Sequence, residues 1–277
     1  MGTLYLVATP IGNLEDLSRR ALRVLQSVEL IAAEDTRQTG KLLNHFDVHT
    51  RMISYHEHNK LTRLDQVLAA LEQGQVALVS DAGTPALNDP GYELVRAALQ
   101  AGHEVSPIPG PCAPLAALVV SGLPTDTFLY LGYLPRKPAE RRKLLESVAN
   151  QPHTLLFLET PHRLISALND LRLLLGNRQI AIARELTKMH EEIFRGRLDE
   201  ALLHFQQQPP RGEFTLVIAG FSPNRENWTE ERVDAELDAR LMGGEPPAKL
   251  AAELASESGW PRRKIYQKVL RLQDRRE

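Results

Sequence analysis

The chain has 277 residues, of which 43% are hydrophobic and 25% are charged. These proportions are ordinary for globular proteins, exclude a fully disordered chain, and leave enough length for two packed domains. The single cysteine, Cys112, excludes an internal disulfide and a cysteine-based zinc cluster. No apolar run is long enough to span a membrane, and the first residues lack the basic region of a secretory signal. We therefore expect a soluble protein of a reducing compartment, the cytoplasm.

The charge of the chain is small overall but uneven along its length. A formal net charge of −2 gives the whole protein no general attraction to nucleic acid. Two segments are locally basic, with five basic residues against one acid over 136–143 and seven against two over 261–277. Such a run is more often a solvated helix face, but two of them keep a local contact with a polyanion open.

The first 122 residues alternate between strand and helix patterns. Short apolar runs predict strands, and apolar residues at helical spacing predict the helices between them. The predicted strands are Leu4–Ala8, Val28–Ala33, Gln75–Ser80 and Glu104–Ile108, and the predicted helices are Leu14–Leu25, Leu61–Leu71, Tyr92–Gln100 and Cys112–Ser121. This order, with its short connections, predicts an α/β lobe with mostly parallel strands over residues 1–122.

The same alternation restarts after the Ser121-Gly-Leu-Pro124 segment and predicts a second α/β lobe over residues 123–222. Its predicted strands are Phe128–Leu131, Thr154–Leu158, Ile180–Ala183 and Phe214–Ala219, and its predicted helices are Ala139–Val148, His162–Leu175 and Leu198–Phe205. Residues 223–277 are polar and helical, and two short helices around Gly259 form a helix-turn-helix-like unit. We expect Ile265, Val269 and Leu272 of the second helix to face the first, which leaves most of its basic residues toward solvent. This tail is either an RNA-binding module or a packing hairpin on the main body.

The standard signatures of nucleotide-binding and hydrolytic enzymes are missing from the sequence. It contains no G-x-G-x-x-G segment, no P-loop and no G-x-S-x-G elbow. His56 and His58 would diverge on a helix and have no evident third ligand, so we expect no metal site. Four loops rich in glycine, proline and small polar residues follow predicted strands, at 9–13, 33–37, 80–85 and 108–113. Any one of them could be a simple tight turn, but together they predict a shared site beyond the carboxyl ends of the strands.

Several segments resemble the conserved blocks of the ribosomal RNA small subunit methyltransferase I family, which belongs to the tetrapyrrole methylase superfamily. They are Thr9–Asp16, Ala33–Arg37, Val79–Pro85, Ile108–Pro111, Arg184–Lys188 and Gly212–Val217. The resemblance runs from about residue 2 to 221 and is weaker in the tail. Thr160 stands where the family more often has serine.

The resemblance implies two α/β lobes of the tetrapyrrole methylase type with a cofactor cleft between them. It implies that a methyl group passes from S-adenosylmethionine to the ribose 2′-hydroxyl of a cytidine in the decoding region of 16S rRNA, in the small ribosomal subunit. It also implies a homodimer. Matching the motifs residue by residue assigns cofactor contacts to Pro10, Asp81, Thr84, Cys112, Ala113, Glu159 and Phe214.

Methyl transfer needs an aligned hydroxyl group and is helped by a base that accepts its proton. The acidic candidates near the expected cleft are Glu34, Asp35, Glu159 and Glu185. Lys188 could also serve if burial lowered its pKa. Our predicted catalytic residues are Glu159, Glu185 and Lys188. Contacts with RNA phosphate and ribose are predicted for Asp35, Arg37, Arg136, Lys137, Arg163 and Arg184, in which the arginine fork suits phosphate. The basic residues of 136–143, Arg141 among them, follow the first predicted strand of the second lobe, so we expect them to flank the mouth of the cleft.

Two other functions remain open on the sequence. A methyltransferase acting on a small tetrapyrrole is disfavoured by the basic segments and the polar tail, because a macrocycle needs an apolar pocket. A non-catalytic RNA-binding or ribosome-assembly factor would explain the basic residues, but it leaves the four loops without a purpose.

Overall fold

The computed structural model describes residues 2–222, 228–243 and 245–274. The chain forms two compact units, Met1–Phe221 and Ser222–Glu277, and each is described by itself. Within the described ranges, no helix has both the length and the apolar character needed to cross a membrane.

The first half of the larger unit contains a parallel five-stranded sheet. Its strands are β1 (Thr3–Val7), β2 (Leu30–Ala33), β3 (Met52–Ser54), β4 (Val76–Val79) and β5 (Glu104–Ile108). They lie in the order β3-β2-β4-β1-β5. The helices are α1 (Arg19–Ser27), α2 (Thr36–His45), α3 (Lys60–Gln73), α4 (Tyr92–Gln100) and α5 (Ala113–Val120). Helices form the connections between these parallel strands. The sequence predicts this alternation of parallel strands and helices.

The central strands of this sheet are buried on both faces. Alternate residues point to opposite sides, so Ile31 and Ala77 join one apolar cluster while Leu30 and Leu78 join another. Every residue of β2 and β4 is buried. Continuous apolar runs are typical of parallel strands covered by helices on both faces, which explains why these two strands were visible in the sequence.

The second half of the larger unit contains a mixed sheet. Its strands are β6 (Phe128–Tyr133), β7 (Thr154–Glu159), β8 (Gln179–Arg184), β9 (Glu192–Arg197) and β10 (Phe214–Ile218), and its helices are α6 (Pro138–Val148), α7 (Pro161–Leu175) and α8 (Leu198–Gln207). The order is β6-β7-β10-β8-β9. Of the hydrogen-bonded neighbours, only β6 and β7 pair in parallel, and the other pairs are antiparallel. The seven residues between β8 and β9 are too few for a crossover helix, so these strands are antiparallel.

Most predicted elements are confirmed to within a few residues, and Tyr92–Gln100 and Glu104–Ile108 match the structure at both ends. The sequence reading missed α2, β3 and β9. Helix α2 begins inside the 33–37 segment, where the sequence predicts only a loop. Strand β3 has only three residues, too few for a clear pattern. Strand β9 reads Glu-Ile-Phe-Arg-Gly-Arg and lies at the sheet edge, where its charged residues hid the strand pattern.

The smaller unit consists of three helices, α9 (Glu230–Met242), α10 (Pro247–Ser258) and α11 (Arg262–Asp274), around a small apolar core. Gly259 between α10 and α11 has a φ of 74°, a left-handed conformation that favours glycine. Ile265 and Val269 are fully buried, as predicted. The basic residues Arg262, Arg263, Lys264 and Arg271 are exposed.

Among the basic residues of 261–277, Lys268 instead pairs with Asp234 and Glu230 at 2.7 Å. Two others, Arg275 and Arg276, lie outside the described residues. The division of the chain at residues 122 and 222, and the RNA-binding role of 223–277, stay predictions.

Candidate active site

The four strand-end loops meet at the carboxyl edge of the first sheet. The loop after β4 joins the loops that follow β1 and β5. Gly83 exchanges two backbone hydrogen bonds with Thr9, at 2.9 and 3.0 Å. The hydroxyl of Thr84 donates to the carbonyl oxygen of Pro111 at 3.1 Å. The backbone of this edge is therefore cross-braced at the place where the sequence predicted a site.

Carboxylates join the loop after β4 to the loop after β2. Asp81 Oδ1 accepts a hydrogen bond from the Asp35 amide at 3.0 Å, and the Asp81 amide donates to Glu34 Oε2 at 3.2 Å. Asp35 also accepts from the Arg37 guanidinium at 2.7 Å, and this side-chain bond is the main reason that the pKa of Asp35 falls to about 2. Burial raises the pKa of both Glu34 and Asp81. The edge thus concentrates negative charge.

A cleft lies between this edge and the second sheet of the same unit. It holds about 980 Å³ of empty space, a figure that includes space open to solvent. Six of the seven predicted cofactor residues line it: Asp81, Thr84, Cys112, Ala113, Glu159 and Phe214. The seventh, Pro10, is not among the lining residues, and its neighbour Ile11 is.

Glu159 forms the buried floor of the second-sheet side. It ends β7, is only 1% exposed, and pairs in register with Phe214 on β10. Its Oε1 accepts from the Thr160 amide and from Arg163 Nε, both at 2.7 Å. Its Oε2 has no partner among the described residues. A buried carboxylate oxygen without a donor is costly, so this atom indicates a ligand that carries a donor or a positive charge.

Tyr130 on β6 supplies a second buried polar atom in the cleft. Its hydroxyl has no hydrogen-bond partner in the described part of the chain. Burial raises the pKa of Tyr130, so the phenol stays neutral and can donate as well as accept. Together with Glu159 Oε2, it makes the cleft a site with unused hydrogen-bonding capacity on the side of the second sheet.

The cleft lining is acidic. Five carboxylic acids line it, Glu34, Asp81, Asp89, Glu159 and Glu213, and no lysine, arginine or histidine is among the described lining residues. Burial raises the pKa of Asp89 to about 6, and the neighbouring Glu34 adds to the shift. A lining of this kind is complementary to a cation.

The sequence reading missed Asp89, Tyr130 and Glu213. One signal for Asp89 was present, because the turn-rich Asn88-Asp-Pro-Gly91 segment follows the third loop directly. Asn88 has a φ of 67°, and a Cβ at Gly132 would lie 2.4 Å from its Nδ2 atom. Backbone strain of this kind is concentrated at functional sites. Here the strained segment that contains Asp89 packs closely against β6 at Gly132.

Two of the predicted catalytic residues pair with each other instead of lining the cleft. Lys188 Nζ lies 2.9 Å from Glu185 Oε1 and 3.4 Å from Glu213 Oε2. Burial opposes the shifts, but this pairing lowers the pKa of Glu185 and raises that of Lys188. A lysine base would need a lowered pKa, so the condition that we set for Lys188 is not met.

Two of the residues predicted to contact RNA, Arg163 and Arg184, have hydrogen-bond partners within the protein. Arg163 is held by Glu159 and by the carbonyl oxygen of Leu134. Arg184 donates to the carbonyl oxygen of Arg211 at 2.8 Å and pairs with Glu192 at 3.1 Å. Both arginines therefore already bind protein groups, and their contact with RNA stays a prediction.

The exposed candidates are Arg37, Arg136 and Lys137, the last of which pairs with Glu140 at 3.0 Å. The basic run 136–143 is not wholly a surface feature. Arg141 is 4% exposed, and its Nε donates to Asp170 at 2.7 Å. Our expectation that Arg141 flanks the cleft mouth is wrong, because it serves as a buried link between α6 and α7.

Comparisons with known proteins give the chain its family. Residues 3–202 match the Tetrapyrrole (Corrin/Porphyrin) Methylases. A ribosomal RNA small subunit methyltransferase I from Synechocystis sp. is 50% identical over 276 residues, 99% of each chain. A protein of the same name from Thermotoga maritima is 46% identical over 221 residues, which are 79% of this chain and 99% of its own length.

A solved structure of a cobalt precorrin-4 methyltransferase shows the same fold. Its TM-score is 0.61 at 14% identity, and the match covers 78% of this chain and 94% of that one. The two α/β lobes expected from the sequence are therefore those of the tetrapyrrole methylases.

The cofactor of this family, S-adenosylmethionine, fits the residues of the cleft. It carries a cationic sulfur and an ammonium group, for which the acidic lining and the unpartnered Glu159 Oε2 provide the opposite charge. The similarity over nearly the full chain, together with the fold, shows that this chain belongs to the tetrapyrrole methylases and, within them, to the ribosomal RNA small subunit methyltransferase I family.

Proposed function

We propose that this protein methylates the ribose 2′-hydroxyl of a cytidine in the decoding region of 16S rRNA, within the small ribosomal subunit, using S-adenosylmethionine. The proposal depends above all on one observation. The chain is 50% identical, over 99% of its length, to a protein named for methylation of small-subunit ribosomal RNA. The acidic cleft at the family's motif loops supports it, since it suits a cationic methyl donor.

The cofactor would supply a methyl group bound to a positively charged sulfur. The chain's part is to hold it, and the proposed contacts are Pro10, Asp81, Thr84, Cys112, Ala113, Glu159 and Phe214. Asp81 and Glu159 provide negative charge at opposite walls of the cleft, and Phe214 provides an apolar surface. Cys112 is the N-cap residue of α5, where its side chain makes no capping hydrogen bond and forms a small part of the cleft wall. The braced loops fix these groups before the cofactor arrives, which limits the entropy lost on binding.

The reaction depends chiefly on alignment of the hydroxyl with the bond that breaks. Of the three predicted catalytic residues, Glu159 is the one that lines the cleft, and we retain it as the candidate for contact with the reacting groups. We assign Glu185 and Lys188 a positioning role. A Cβ at Gly12 would lie 2.4 Å from Lys188 Cγ, so this ion pair packs directly on the first motif loop.

RNA recognition needs exposed positive charge, because the backbone phosphates dominate binding affinity. We propose Arg37, Arg136 and Lys137 on the larger unit and the exposed bases of α11 on the smaller one. Asp35 positions Arg37 through their 2.7 Å ion pair. Arg163 and Arg184 complete the proposed set, although protein acceptors already hold them. We further propose that the protein acts as a homodimer in the cytoplasm.

A labelled-methyl transfer assay tests the proposal. Three separate reactions each contain the protein and labelled S-adenosylmethionine. The methyl acceptor is 30S subunits in the first, free 16S rRNA in the second and uroporphyrinogen in the third. We expect label in 16S rRNA, and mass spectrometry of its nucleosides should identify 2′-O-methylcytidine. Resistance of the adjacent phosphodiester to alkali would confirm the position of the methyl group. Label in uroporphyrinogen alone would make the protein a tetrapyrrole methyltransferase, and RNA binding without transfer would make it an assembly factor.

A further inference from the structure

The carboxylates of the cleft crowd around Asp89. Asp89 is half-buried in the segment that follows the loop after β4, and its nearest acidic neighbours come from different parts of the chain. Glu34 follows β2, Asp81 follows β4, and Glu213 precedes β10. Burial and this repulsion raise the pKa of Asp89 to about 6, whereas a side-chain hydrogen bond with Ser80 acts in the opposite direction. Without a bound cation the cluster is electrostatically unfavourable.

The surrounding cations neutralise this cluster only in part, since Lys188 pairs with Glu213 and Arg37 acts on Asp81. The titratable groups that face Asp89 from the adjoining elements are Glu34, Asp81, Cys112, Tyr130, Tyr133, Glu159 and Glu213. The nearest cations in the described residues have acidic partners of their own: Arg37 has Asp35, Arg163 has Glu159, and Lys188 has Glu185 and Glu213. His56 acts on Glu34 and is not a lining residue.

Glu159 gives an independent indication that a ligand completes the site. Its side chain is fully buried, it lines the same cleft, and its Oε2 has no donor among the described residues. Glu34, Asp81 and Asp89 belong to the half of the unit that contains the first sheet, whereas the Glu159 oxygen belongs to β7 of the second sheet. A positively charged ligand in the cleft would satisfy both.

We propose that Asp89, with Glu34 and Asp81, discriminates the cationic sulfur of S-adenosylmethionine from the neutral sulfur of the product S-adenosylhomocysteine. The proposal rests on the cofactor part of the proposed function and is independent of the RNA substrate. The two molecules carry the same adenosine, amino and carboxyl groups. They differ only by the methyl group and the charge that it places on sulfur, and a carboxylate cluster favours the charged member.

The same arrangement makes the discrimination depend on pH. A cation favours the ionised form of a neighbouring carboxyl, so S-adenosylmethionine lowers the pKa of Asp89 below the value of about 6 in the free protein. At pH values between the pKa of Asp89 in the complex and its pKa in the free protein, binding therefore releases a proton from Asp89. The affinity for S-adenosylmethionine falls as the pH drops through that range, while the affinity for the neutral-sulfur product changes less.

Calorimetric titration of the full chain with each molecule at pH 7.5 and pH 5.5 tests the proposal. For the wild type at pH 7.5 we expect S-adenosylmethionine to bind at least about tenfold more tightly than S-adenosylhomocysteine. The ratio should fall several-fold at pH 5.5. In Asp89→Asn the ratio at pH 7.5 should drop at least to the wild-type value at pH 5.5, where part of wild-type Asp89 is still ionised, and should lose most of its pH dependence.

Two matched variants separate charge from shape and from general electrostatics. Asp89→Glu keeps the charge and should keep the ratio, and Asp65→Asn removes an exposed acid of α3 outside the cleft and should leave it unchanged. Circular dichroism checks folding, and Glu34→Gln replaces Asp89→Asn if the latter does not fold. Equal wild-type affinities at both pH values, or an unchanged ratio in folded Asp89→Asn, would overturn the inference. Normal 30S methylation alongside equal affinities would leave the proposed function standing and this inference refuted.

Discussion

The larger unit gathers acids in a cleft, whereas the smaller unit displays bases on its surface. In the first, five carboxylic acids line one cavity. In the second, Arg262, Arg263, Lys264 and Arg271 project from a three-helix core. A cationic cofactor and a polyanionic RNA need opposite fields, and an acidic cleft repels phosphates. The difference supports our proposal that cofactor binding and RNA binding are tasks of separate parts of the chain.

The relatives bear on how separable these parts are. The Thermotoga maritima relative aligns over 99% of its own length with only 79% of this chain, so a family member can be about as long as the larger unit. The Synechocystis relative matches 99% of this chain. Relatives in this family therefore differ in length by about the size of the smaller unit, and the contribution of that unit can be measured by removing it.

Removal of the smaller unit should have the largest effect. We expect a chain truncated after Phe221 to fold and to bind S-adenosylmethionine normally, because all cleft residues precede that point. Methylation of 30S subunits should fall by about 10²-fold, since linked binding modules raise the local substrate concentration by factors of this order. A filter-based methyl transfer assay measures the loss. Full activity would make the unit dispensable, and failure to bind the cofactor would make it structural.

Removal of one cleft acid should have the next largest effect, confined to the cofactor. Asp81→Ala deletes a charge and leaves the Asp35 amide without its acceptor. Because Asp81 is partly exposed, the loss should be about 1.5 kcal/mol, the lower end for a charge-assisted bond, or roughly tenfold in affinity. Calorimetry with S-adenosylmethionine measures it, with RNA binding as the control. An unchanged dissociation constant in a folded variant would contradict the cofactor assignment.

Removal of bases from the larger unit should weaken RNA binding by a few-fold and leave cofactor affinity unchanged. In the double variant Arg136→Ala/Lys137→Ala, each lost phosphate contact should reduce the slope of log affinity against log salt by roughly 0.7–0.9. A salt series of RNA-binding measurements gives the slope. If the variant retains both the wild-type slope and normal methylation at physiological salt, these residues are a solvated surface only.

The smallest effect should come from the turn of the smaller unit. Gly259→Ala places a side chain at a φ of 74°, which costs about 1–2 kcal/mol. In thermal unfolding of the full chain, the smaller unit should unfold at a lower temperature than in the wild type. The unfolding temperature of the transition that the cofactor stabilises should be unchanged. Gly243→Ala, at a φ of −74°, is the matched control. Equal destabilisation by the two changes would show that the left-handed turn is not what matters.

The features that the sequence could predict are local ones. Buried parallel strands carry continuous apolar runs, as in β2 and β4, and the loops after them converge because parallel strands end at one edge. The family motifs led to Asp81 and Thr84 in the cleft. The buried position of Ile265 also followed from helical spacing alone.

The features that it could not predict depend on pairs far apart in the chain. Arg141 belongs to a basic run, and only the fold reveals Asp170, 29 residues away, as its buried partner. Lys188 meets Glu213 only after β10 is placed beside β8. The pKa of Asp89 depends on Glu34, which comes from another loop. Such environments are products of tertiary structure, and the residue type alone does not reveal them.

The unpartnered oxygen of Glu159 has a consequence for the abundance of this protein in a cell. A buried acceptor without a donor weakens the ligand-free fold, and a ligand that binds only the folded form restores stability, by about 2.7 kcal/mol at a hundredfold excess over its dissociation constant. Proteases act on unfolded molecules, so copies without cofactor are degraded first. When the methyl donor is scarce, we therefore expect the turnover of the chain to rise.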